Sequence, residues 1–531
     1  MEPILPRFQN TAATARIAHP DFCDTSSPSM RLFVIALLIT LPWLNPFSPG
    51  PTAAVVPVLF AWGCVAGLLL LKAGSPTATR QDWIHAVAGA WLAAAGLSAV
   101  IGLLQYFGAT SWLGVWVNHT NPGEAFGNLR QRNQFASLMN IGLAALVWWV
   151  IHVSRKDAGR HIGQIGPALA LAVLLGAGNA ASSSRTGLLQ LVMVVVLSLF
   201  WHQRARHHQA TSQTGRALPW VLLTAVLAYS LATWALPWLQ GLNPMQSSAV
   251  GRLSAGDSVC GSRLTLWRNV LFLIGEKPWL GWGWGELDYA HFITLYPGAR
   301  FCDILDNAHN LPLQLAVELG VPLAVVLCGA GVWLAWRARP WRELDSTRHM
   351  AWAILMVILL HSLLEYPLWY GPFQMAAGLC VWLLLPANTL ANKPWIPYLQ
   401  AGLAGMLLTF CAIASWQYHL ASQIYLNPEQ RAPAYRNNTL EKTRHVLLFR
   451  EQVRFAELTI TDLTPANAAQ MNLLAKDILH FSPEARVAEI VIDSARMLGR
   501  DAEAKYYLAR LQAAFPQAYT DWRKTHGVID Q

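Results

Sequence analysis

Long apolar runs separated by short polar segments dominate the chain from residue 31 to residue 416. An α-helix needs about 20 apolar residues to cross a ~30 Å hydrocarbon layer, and runs close to this length recur along the chain. The pattern therefore predicts about eleven membrane-spanning helices, with a range of roughly ten to thirteen. The predicted spans lie at 31–47, 52–71, 83–107, 133–153, 162–181, 185–201, 218–239, 311–336, 350–363, 371–386 and 396–416.

Two long polar segments interrupt or follow the predicted spans. Residues 240–310 form a large loop with amphipathic helical segments. After residue 417, apolar positions return at helical spacing in 465–480, 484–498 and 501–515. The last two resemble one tetratricopeptide helix pair, although arrays of that kind need three or more repeats. The sequence thus predicts an all-α polytopic membrane protein, divided into an N-terminal tail (1–30), a membrane domain (31–416) and a soluble helical C-terminal domain (417–531).

Composition agrees with a membrane protein, and the basic residues set its orientation. Charged residues make up 13% of the chain, against about 25% in soluble domains. The excess of 38 Lys and Arg over 29 Asp and Glu would suggest nucleic acid in a soluble protein. Here the basic residues occupy every second short loop, which predicts a cytoplasmic N-terminus and a C-terminal domain on the outer side. Because the basic excess is explained by this topology, we predict no nucleic acid as a partner. Eight basic residues before 417 fall on the outer side as exceptions: Arg130, Arg132, Arg185, Arg252, Arg263, Arg268, Lys277 and Arg300.

Two arginine-bearing segments at the outer side are candidate binding sites. One is the polar run Arg130, Gln131, Arg132, Asn133 and Gln134 directly before a span. The other is a Ser-rich hairpin that contains Arg185. An arginine at the membrane edge is costly unless it is paired or meets a charged ligand, which favours phosphate binding. The alternative is a helix end whose arginines extend to the lipid headgroups.

A third and a fourth candidate segment carry titratable and aromatic groups. His309 precedes Asn310 and Glu318, and we place Glu318 as a carboxylate inside a span. An imidazole can act as general base for a hydroxyl, whereas most loop histidines are structural. Tyr366 and Tyr370 lie between two later spans, where they would form either an aromatic belt or a wall for a sugar ring.

Cysteine placement and the acidic residues bear on the compartment and on metal binding. Cys260 and Cys302 both lie in the large outer loop, where an oxidising compartment would permit a disulfide; the alternative is two unpaired thiols. That loop has no Asp-x-Asp pair, and His309 has no second His at ligand spacing. The sequence therefore predicts no metal.

These motifs, taken in order, resemble a known family. In five motifs the chain resembles the bacterial O-oligosaccharyltransferases. These motifs are Arg-Gln-Arg-Asn at 130–133, Ser-Arg-Thr-Gly at 184–187, Ser-Arg-Leu at 262–264, Ala-His-Asn at 308–310 and Glu-Tyr-Pro-Leu-Trp-Tyr at 365–370. These protein (pilin) glycosylation ligases are a branch of the O-antigen ligase and polymerase superfamily. The similarity spans roughly 125–375, and the helical tail favours the protein-glycosylating branch over the lipopolysaccharide ligases.

The resemblance implies a glycosyltransferase of the inner membrane that faces the periplasm. It would move a glycan from undecaprenyl diphosphate in the membrane lipid to Ser or Thr of a periplasmic protein, such as a pilin or lipoprotein, without a cofactor. His309 matches the catalytic histidine, Gln131 or Gln134 an essential glutamine region, and Tyr366 or Tyr370 an essential tyrosine region. We assign catalysis to His309, Arg263 and Arg185, and donor binding to Arg130, Gln131, Arg132, Asn133, Gln134, Asn310, Glu318, Tyr366 and Tyr370.

Two other functions remain open at this stage. A ligase or polymerase would use the same lipid-linked donor with a sugar acceptor, and only the tail argues against it. A transporter or flippase is disfavoured because the sequence has no evident internal repeat and its polar residues concentrate on one side.

Overall fold

A computed structural model describes residues 28–74, 79–156, 161–208, 217–247, 260–386 and 393–526. All regular secondary structure in these ranges is helical, which confirms the predicted all-α class. The predicted N-terminal tail up to residue 27 and Arg252 lie outside the described residues.

The described membrane domain begins with seven helices and continues through a loop that contains three more. The first seven are α1 (Pro28–Leu44), α2 (Val55–Ala73), α3 (Arg80–Tyr106), α4 (Arg132–Lys156), α5 (His161–Ala181), α6 (Arg185–His208) and α7 (Leu218–Leu239). A short helix, Pro244–Ser247, follows. The loop helices are α8 (Arg263–Glu276), α9 (Leu287–Ile293) and α10 (Leu311–Leu319), and the membrane domain ends with α11 (Val321–Ala338), α12 (Ser346–Ser362), α13 (Gly371–Leu384) and α14 (Ile396–Ser422).

All but one of the predicted spans coincide with a single helix of the structure, and the lengths of these helices differ. Seven helices in the described ranges are long and apolar enough to cross a membrane, namely α2, α3, α4, α6, α7, α11 and α14. The helices α1, α5 and α13 are apolar but shorter. Many apolar helices therefore confirm a membrane protein, while the count of eleven spans stays a prediction.

Burial separates central from peripheral helices. In α4, 83% of the spanning window is buried, and α3, α5, α6 and α12 all pack around it. By contrast, 6% of the α11 window and 11% of the α14 window are buried inside the protein. A helix that is apolar on all sides and not covered by protein is suited to face lipid. The central position of α4 places its N-terminal turn in the middle of one end of the bundle.

The prediction of a single span over 311–336 is wrong, because the chain breaks at Gly320. This residue has φ +85°, a conformation that favours glycine, and it separates α10 from α11. A Cβ on Gly320 would lie 2.1 Å from the carbonyl oxygen of Trp279. Residues 279–285, which are rich in glycine and tryptophan and are called the Gly/Trp segment below, pack against this break in the chain. The Trp282 amide donates to Val317 O (2.8 Å) and the Gly283 amide to Glu318 O (3.0 Å). Glu318 consequently ends a short loop helix and does not lie inside a span.

The C-terminal tail folds into successive helices. They are α15 (Arg450–Ile460), α16 (Ala468–Ile478), α17 (Ala485–Met497), α18 (Asp501–Ala514) and α19 (Pro516–Thr525). Helices were predicted for α16, α17 and α18, whereas the structure adds α15 and α19. Their relation to tetratricopeptide repeats stays a prediction.

The tail packs directly on the large loop. Phe292 of α9 is buried in the hydrophobic core of the tail. The Tyr289 ring stacks on His480 with centroids 3.7 Å apart, and His480 Nδ1 lies 2.7 Å from Glu286 Oε2. The Arg510 guanidinium also donates to the carbonyl oxygen of Ile293 (2.9 Å). The loop and the tail therefore form one interface.

The carboxyl group of Asp288 lies in this interface and should make the stability of the protein depend on pH. Burial, together with the charges of Glu286 and Asp306, raises the pKa of Asp288 to about 7. Because the unfolded carboxyl titrates near ~3.9, the unfolded state releases the proton first, and stability falls as pH rises from about 4 to 7. We expect Asp288→Asn to remove this cost and to raise Tm by about 2–4 °C at pH 8, with a smaller gain at pH 5.

Thermal unfolding in detergent from pH 4 to pH 9 measures this effect. Asp303→Asn is the matched control, since Asp303 lies in the same loop and is exposed. A gain in Tm for Asp288→Asn that does not change with pH would contradict the explanation.

Candidate active site

Glu365 is the centre of a polar cluster at one end of the bundle. It lies in the connection between α12 and α13 and is 6% exposed. One carboxylate oxygen accepts hydrogen bonds from the Arg263 guanidinium and from Asn133 Nδ2 (3.0 Å). The other lies 2.6 Å from His309 Nδ1. Glu365 thus joins four segments that are far apart in the sequence.

The first turn of α4 positions Asn133. The Gln131 side chain accepts a hydrogen bond from the Gln134 amide (3.0 Å) and so caps the start of this helix. Asn133 Oδ1 accepts a hydrogen bond from the Ser184 hydroxyl at 2.6 Å. Arg185 follows Ser184 and begins α6, so the Ser-rich hairpin lies beside the Glu365 cluster.

Two separate local structures hold Arg263 and His309. Ser262 caps α8 by accepting a hydrogen bond from the Thr265 amide, which fixes Arg263 in the first turn. His309 adopts φ +48°, and its amide donates to Asn307 Oδ1 (2.8 Å). A non-glycine residue with positive φ is uncommon and is often found at functional sites.

The neighbouring residue Ala308 fixes the histidine loop from both sides. Its amide donates to Gln314 Oε1 (2.6 Å), and its carbonyl oxygen accepts from Trp267 Nε1 (3.1 Å). Both contacts tie the loop to helices, namely α10 and α8. The His309 ring is therefore held by its backbone as well as by Glu365.

Electrostatics favour an ionised Glu365. Burial alone would oppose ionisation, but the hydrogen bond from His309 and the charges of His309 and Arg263 outweigh it and lower the pKa of Glu365. An anionic carboxylate accepts a hydrogen bond from the imidazole Nδ1 and leaves Nε2 as the second ring nitrogen for a ligand. The His309 side chain is 26% exposed, so a ligand can approach it.

Two tyrosines form an aromatic wall beside His309. The Tyr366 ring meets the imidazole edge-on at 5.2 Å and stacks on Tyr370 at 5.9 Å between centroids. The Gln134 side chain hydrogen-bonds the Tyr370 hydroxyl. Burial raises the pKa values of both tyrosines, so both hydroxyls stay protonated at neutral pH. The two hydroxyls also hydrogen-bond each other, which fixes this wall.

Arg130 and Arg132 do not join the Glu365 cluster. Arg130 has φ +59°, and its guanidinium contacts Asn118 Oδ1 (3.2 Å) and the carbonyl oxygen of Pro46. Arg132 forms an ion pair with Glu124 at 3.0 Å. The two side chains therefore border the site, whereas Asn133 of the same run lies within it.

Asn310 and Glu318 have local structural partners. Asn310 caps α10 by accepting from the Leu313 amide, and its Nδ2 donates to Leu363 O (3.0 Å). Glu318 Oε1 accepts from the Gly285 amide (2.9 Å) and so anchors the Gly/Trp segment. In this structure both side chains hold the loop that carries His309.

Cys260 and Cys302 form a disulfide in the structure, with Cα atoms 5.2 Å apart. The bond ties Cys260, two positions before the Ser262 cap, to the segment that leads into His309. It links the two parts of the large loop that supply Arg263 and His309.

Glu365 is not among the site residues predicted from the sequence, although Tyr366 and Tyr370 of the same connection are. The available signal was a carboxylate in a short connection between two predicted spans on the arginine-bearing side. A buried network under the site was not predicted either: the Ser137 hydroxyl lies 2.9 Å from His361 Nδ1 and 2.8 Å from Gln190 Nε2. Such a network depends on which faces of α4, α6 and α12 meet.

Comparison with known proteins gives three family matches. The family described as "O-Antigen ligase" matches residues 169–328, and "Protein glycosylation ligase" matches 125–150. "Virulence factor membrane-bound polymerase, C-terminal" matches 349–527. Each match contains part of the cluster, since Asn133, His309 and Glu365 fall in three different segments.

Curated relatives point in the same direction. A "General O-oligosaccharyltransferase" of Acinetobacter baylyi is 24% identical over 310 residues, which is 57% of this chain and 51% of the relative. A "ComP-specific O-oligosaccharyltransferase" of the same organism is 23% identical over 264 residues, 48% of this chain and 43% of the relative. The chain spans about half the length of these relatives, and no solved structure gives a significant match. These findings confirm the resemblance drawn from the motifs: the chain is related to the O-oligosaccharyltransferases of the O-antigen ligase superfamily.

Proposed function

We propose that the protein is an O-linked oligosaccharyltransferase of the bacterial inner membrane. It transfers a glycan from undecaprenyl diphosphate to Ser or Thr of periplasmic proteins such as pilin or a lipoprotein. The observation that carries this proposal is the Glu365 cluster, in which one buried carboxylate orients both an imidazole and a guanidinium. The two curated relatives support protein as the acceptor.

The proposed reaction is a single displacement at the anomeric carbon. The acceptor hydroxyl forms the new C–O bond while the bond between that carbon and the diphosphate oxygen breaks, which inverts the configuration. His309 Nε2 takes the hydroxyl proton, and Glu365 stabilises the resulting imidazolium through Nδ1. The acceptor hydroxyl is then the nucleophile, His309 is its base, and Glu365 is the carboxylate that orients the base.

The arginines stabilise the leaving diphosphate. Arg263 in the cluster and Arg185 at the start of α6 bind its oxygens through charge-assisted hydrogen bonds, as negative charge develops on the leaving group. Arg130 and Arg132 at the border attract the anion as it approaches in the membrane plane. The side of the site that would hold the glycan is lined by Tyr366, Tyr370, Gln131, Asn133 and Gln134. Asn310 and Glu318 hold the large loop that carries His309.

A second function is favoured by the family matches themselves. The matches to O-antigen ligase and to a membrane-bound polymerase describe enzymes whose names do not imply a protein acceptor. In that alternative, the same donor and cluster transfer the glycan to a sugar hydroxyl, either of lipid A-core or of a growing polymer.

Mass spectrometry of periplasmic proteins tests the proposal. The chain is expressed with a lipid-linked glycan pathway and a pilin, with and without His309→Ala. We expect a Ser- or Thr-linked glycan on the pilin only with the unaltered chain. A glycan found only on lipid A-core, or only as a longer polymer, would establish the alternative.

A further inference from the structure

A lateral cleft opens between three membrane helices, away from the Glu365 cluster. Its volume is about 510 Å³, and α2, α13 and α14 line it. Its wall is almost entirely apolar, with Val65, Leu69, Met375, Leu379 and Leu407 among the lining residues. The helix α14 packs on α2 through small buried residues, and the cleft lies between it and α13.

The cleft is about as long as one half of a bilayer is thick. On α2 it extends from Trp62 to Lys72, and ten residues of helix rise about 15 Å, which is half of a ~30 Å hydrocarbon layer. At the end of the cleft away from Lys72, Trp62 Nε1 donates to Gln374 Oε1 (2.7 Å). Because α2 ends at Ala73 and α13 starts beside Tyr370, the Lys72 end of the cleft lies opposite the Glu365 cluster.

Lys72 lies at the end of the cleft that is farther from the Glu365 cluster. Its Nζ is 5.1 Å from the ring centre of Trp83 and 5.9 Å from that of Trp382. Within the described residues, Lys72 has no hydrogen bond and no ion pair. The flanking segments 75–78 and 387–392 contain no Asp or Glu. A lysine held between two indole rings beside an apolar cleft has its charge available for an anion.

The other charged groups near Lys72 already have protein partners. Arg80 Nη2 donates to the carbonyl oxygens of Leu383 (2.9 Å) and Leu385 (2.7 Å), at the end of α13. Asp345, whose charge acts on Arg80, accepts a hydrogen bond from the Thr347 amide (2.6 Å). Arg348, which also acts on Arg80, pairs with Glu343. Lys72 therefore differs from Arg80, Asp345 and Arg348, because within the described residues it has neither a hydrogen bond nor an ion pair.

We propose that this cleft binds an anionic phospholipid of the leaflet opposite the catalytic cluster. Its phosphate contacts Lys72, and one acyl chain occupies the apolar groove up to the Trp62–Gln374 hydrogen bond. The polyprenyl chain of the proposed donor is a poorer occupant, because its diphosphate belongs at the Glu365 end of the bundle. The lipid fills a gap between α13 and α14, and it stabilises the packing of α14.

Retained lipid and thermal stability test the proposal. The protein is purified in mild detergent, and its Tm is measured with added phosphatidylglycerol or phosphatidylcholine, with native mass spectrometry of the bound lipid. We expect one retained phosphatidylglycerol and a larger rise of Tm with that lipid. Lys72→Gln should weaken the phosphatidylglycerol response about fivefold, the contribution of one lysine near a membrane surface.

A second variant fills the groove without touching the charge. Gly378 lines the cleft, and a Cβ there meets nothing within 4 Å, so Gly378→Leu fits the fold and displaces the acyl chain. It should lose the response to both lipids. Matched controls are Arg337→Gln, a basic residue 6.0 Å from the Trp333 ring centre, and Gly329→Leu on exposed α11. Both should behave like the unaltered protein.

Three results would overturn the proposal. They are an equal phosphatidylglycerol response in Lys72→Gln and the unaltered chain, an unchanged lipid response in Gly378→Leu, and a polyprenyl phosphate as the retained lipid.

Discussion

His309→Ala should reduce glycan transfer by about 10²–10⁴-fold, the usual contribution of a general base. The imidazole is the titratable group held by Glu365 and exposed to a ligand, and alanine offers no substitute for proton removal. The measurement is the initial rate of transfer to an acceptor protein in vesicles that contain a lipid-linked oligosaccharide. Binding of the donor should change much less than the rate, because the arginines remain.

His119→Ala is the matched control for this variant. His119 lies in the connection between α3 and α4 and is exposed. Its variant should transfer glycan at the normal rate. Transfer by His309→Ala within a few-fold of normal, with correct membrane insertion, would remove His309 from the mechanism.

Glu365→Gln should have the second largest effect. The change removes the charge that Arg263 and His309 share, and one hydrogen bond to a charged group is worth about 1.5–3 kcal/mol. We therefore expect a loss of about 10- to 150-fold in kcat for each partner that moves out of place. A lower Tm should accompany it, since a partly buried guanidinium that loses its carboxylate destabilises the fold.

Two controls separate this orienting role from general destabilisation. Glu457→Gln removes a carboxylate that pairs with Arg444 in the tail, and it should leave the rate unchanged. Glu365→Asp keeps the charge and should recover part of kcat. If Glu365→Gln lowers Tm but keeps kcat, the carboxylate is structural only.

Hydropathy predicted the membrane helices well because each apolar run is a local property of the chain. It failed at Gly320, where the apolar composition continues but the backbone turns. The signal in the sequence was Gly320-Val321-Pro322, a glycine followed by a proline that can start a new helix. Composition averages do not detect such a change in φ.

The motif resemblance predicted much of the site, but not its centre. Asn133 and Glu365 are 232 residues apart, and Arg263 and Glu365 are 102 apart. No periodicity in a single sequence relates such distant positions. Conversely, Arg130 and Arg132 stand next to Asn133 in the chain, yet the positive φ of Arg130 and the ion pair with Glu124 direct them elsewhere.

The burial of Phe292 in the core of the tail limits how this protein can be recombined with its relatives. A chimera joined at residue 417 would transplant the tail without the helix on which it rests, and would leave an aromatic ring without its pocket. The same junction lies inside α14, whose Gln417 side chain accepts hydrogen bonds from the amides of Leu447 and Leu448. An exchange of tails between this protein and its relatives therefore requires Leu287–Ile293 to be transferred together with the tail as a single unit.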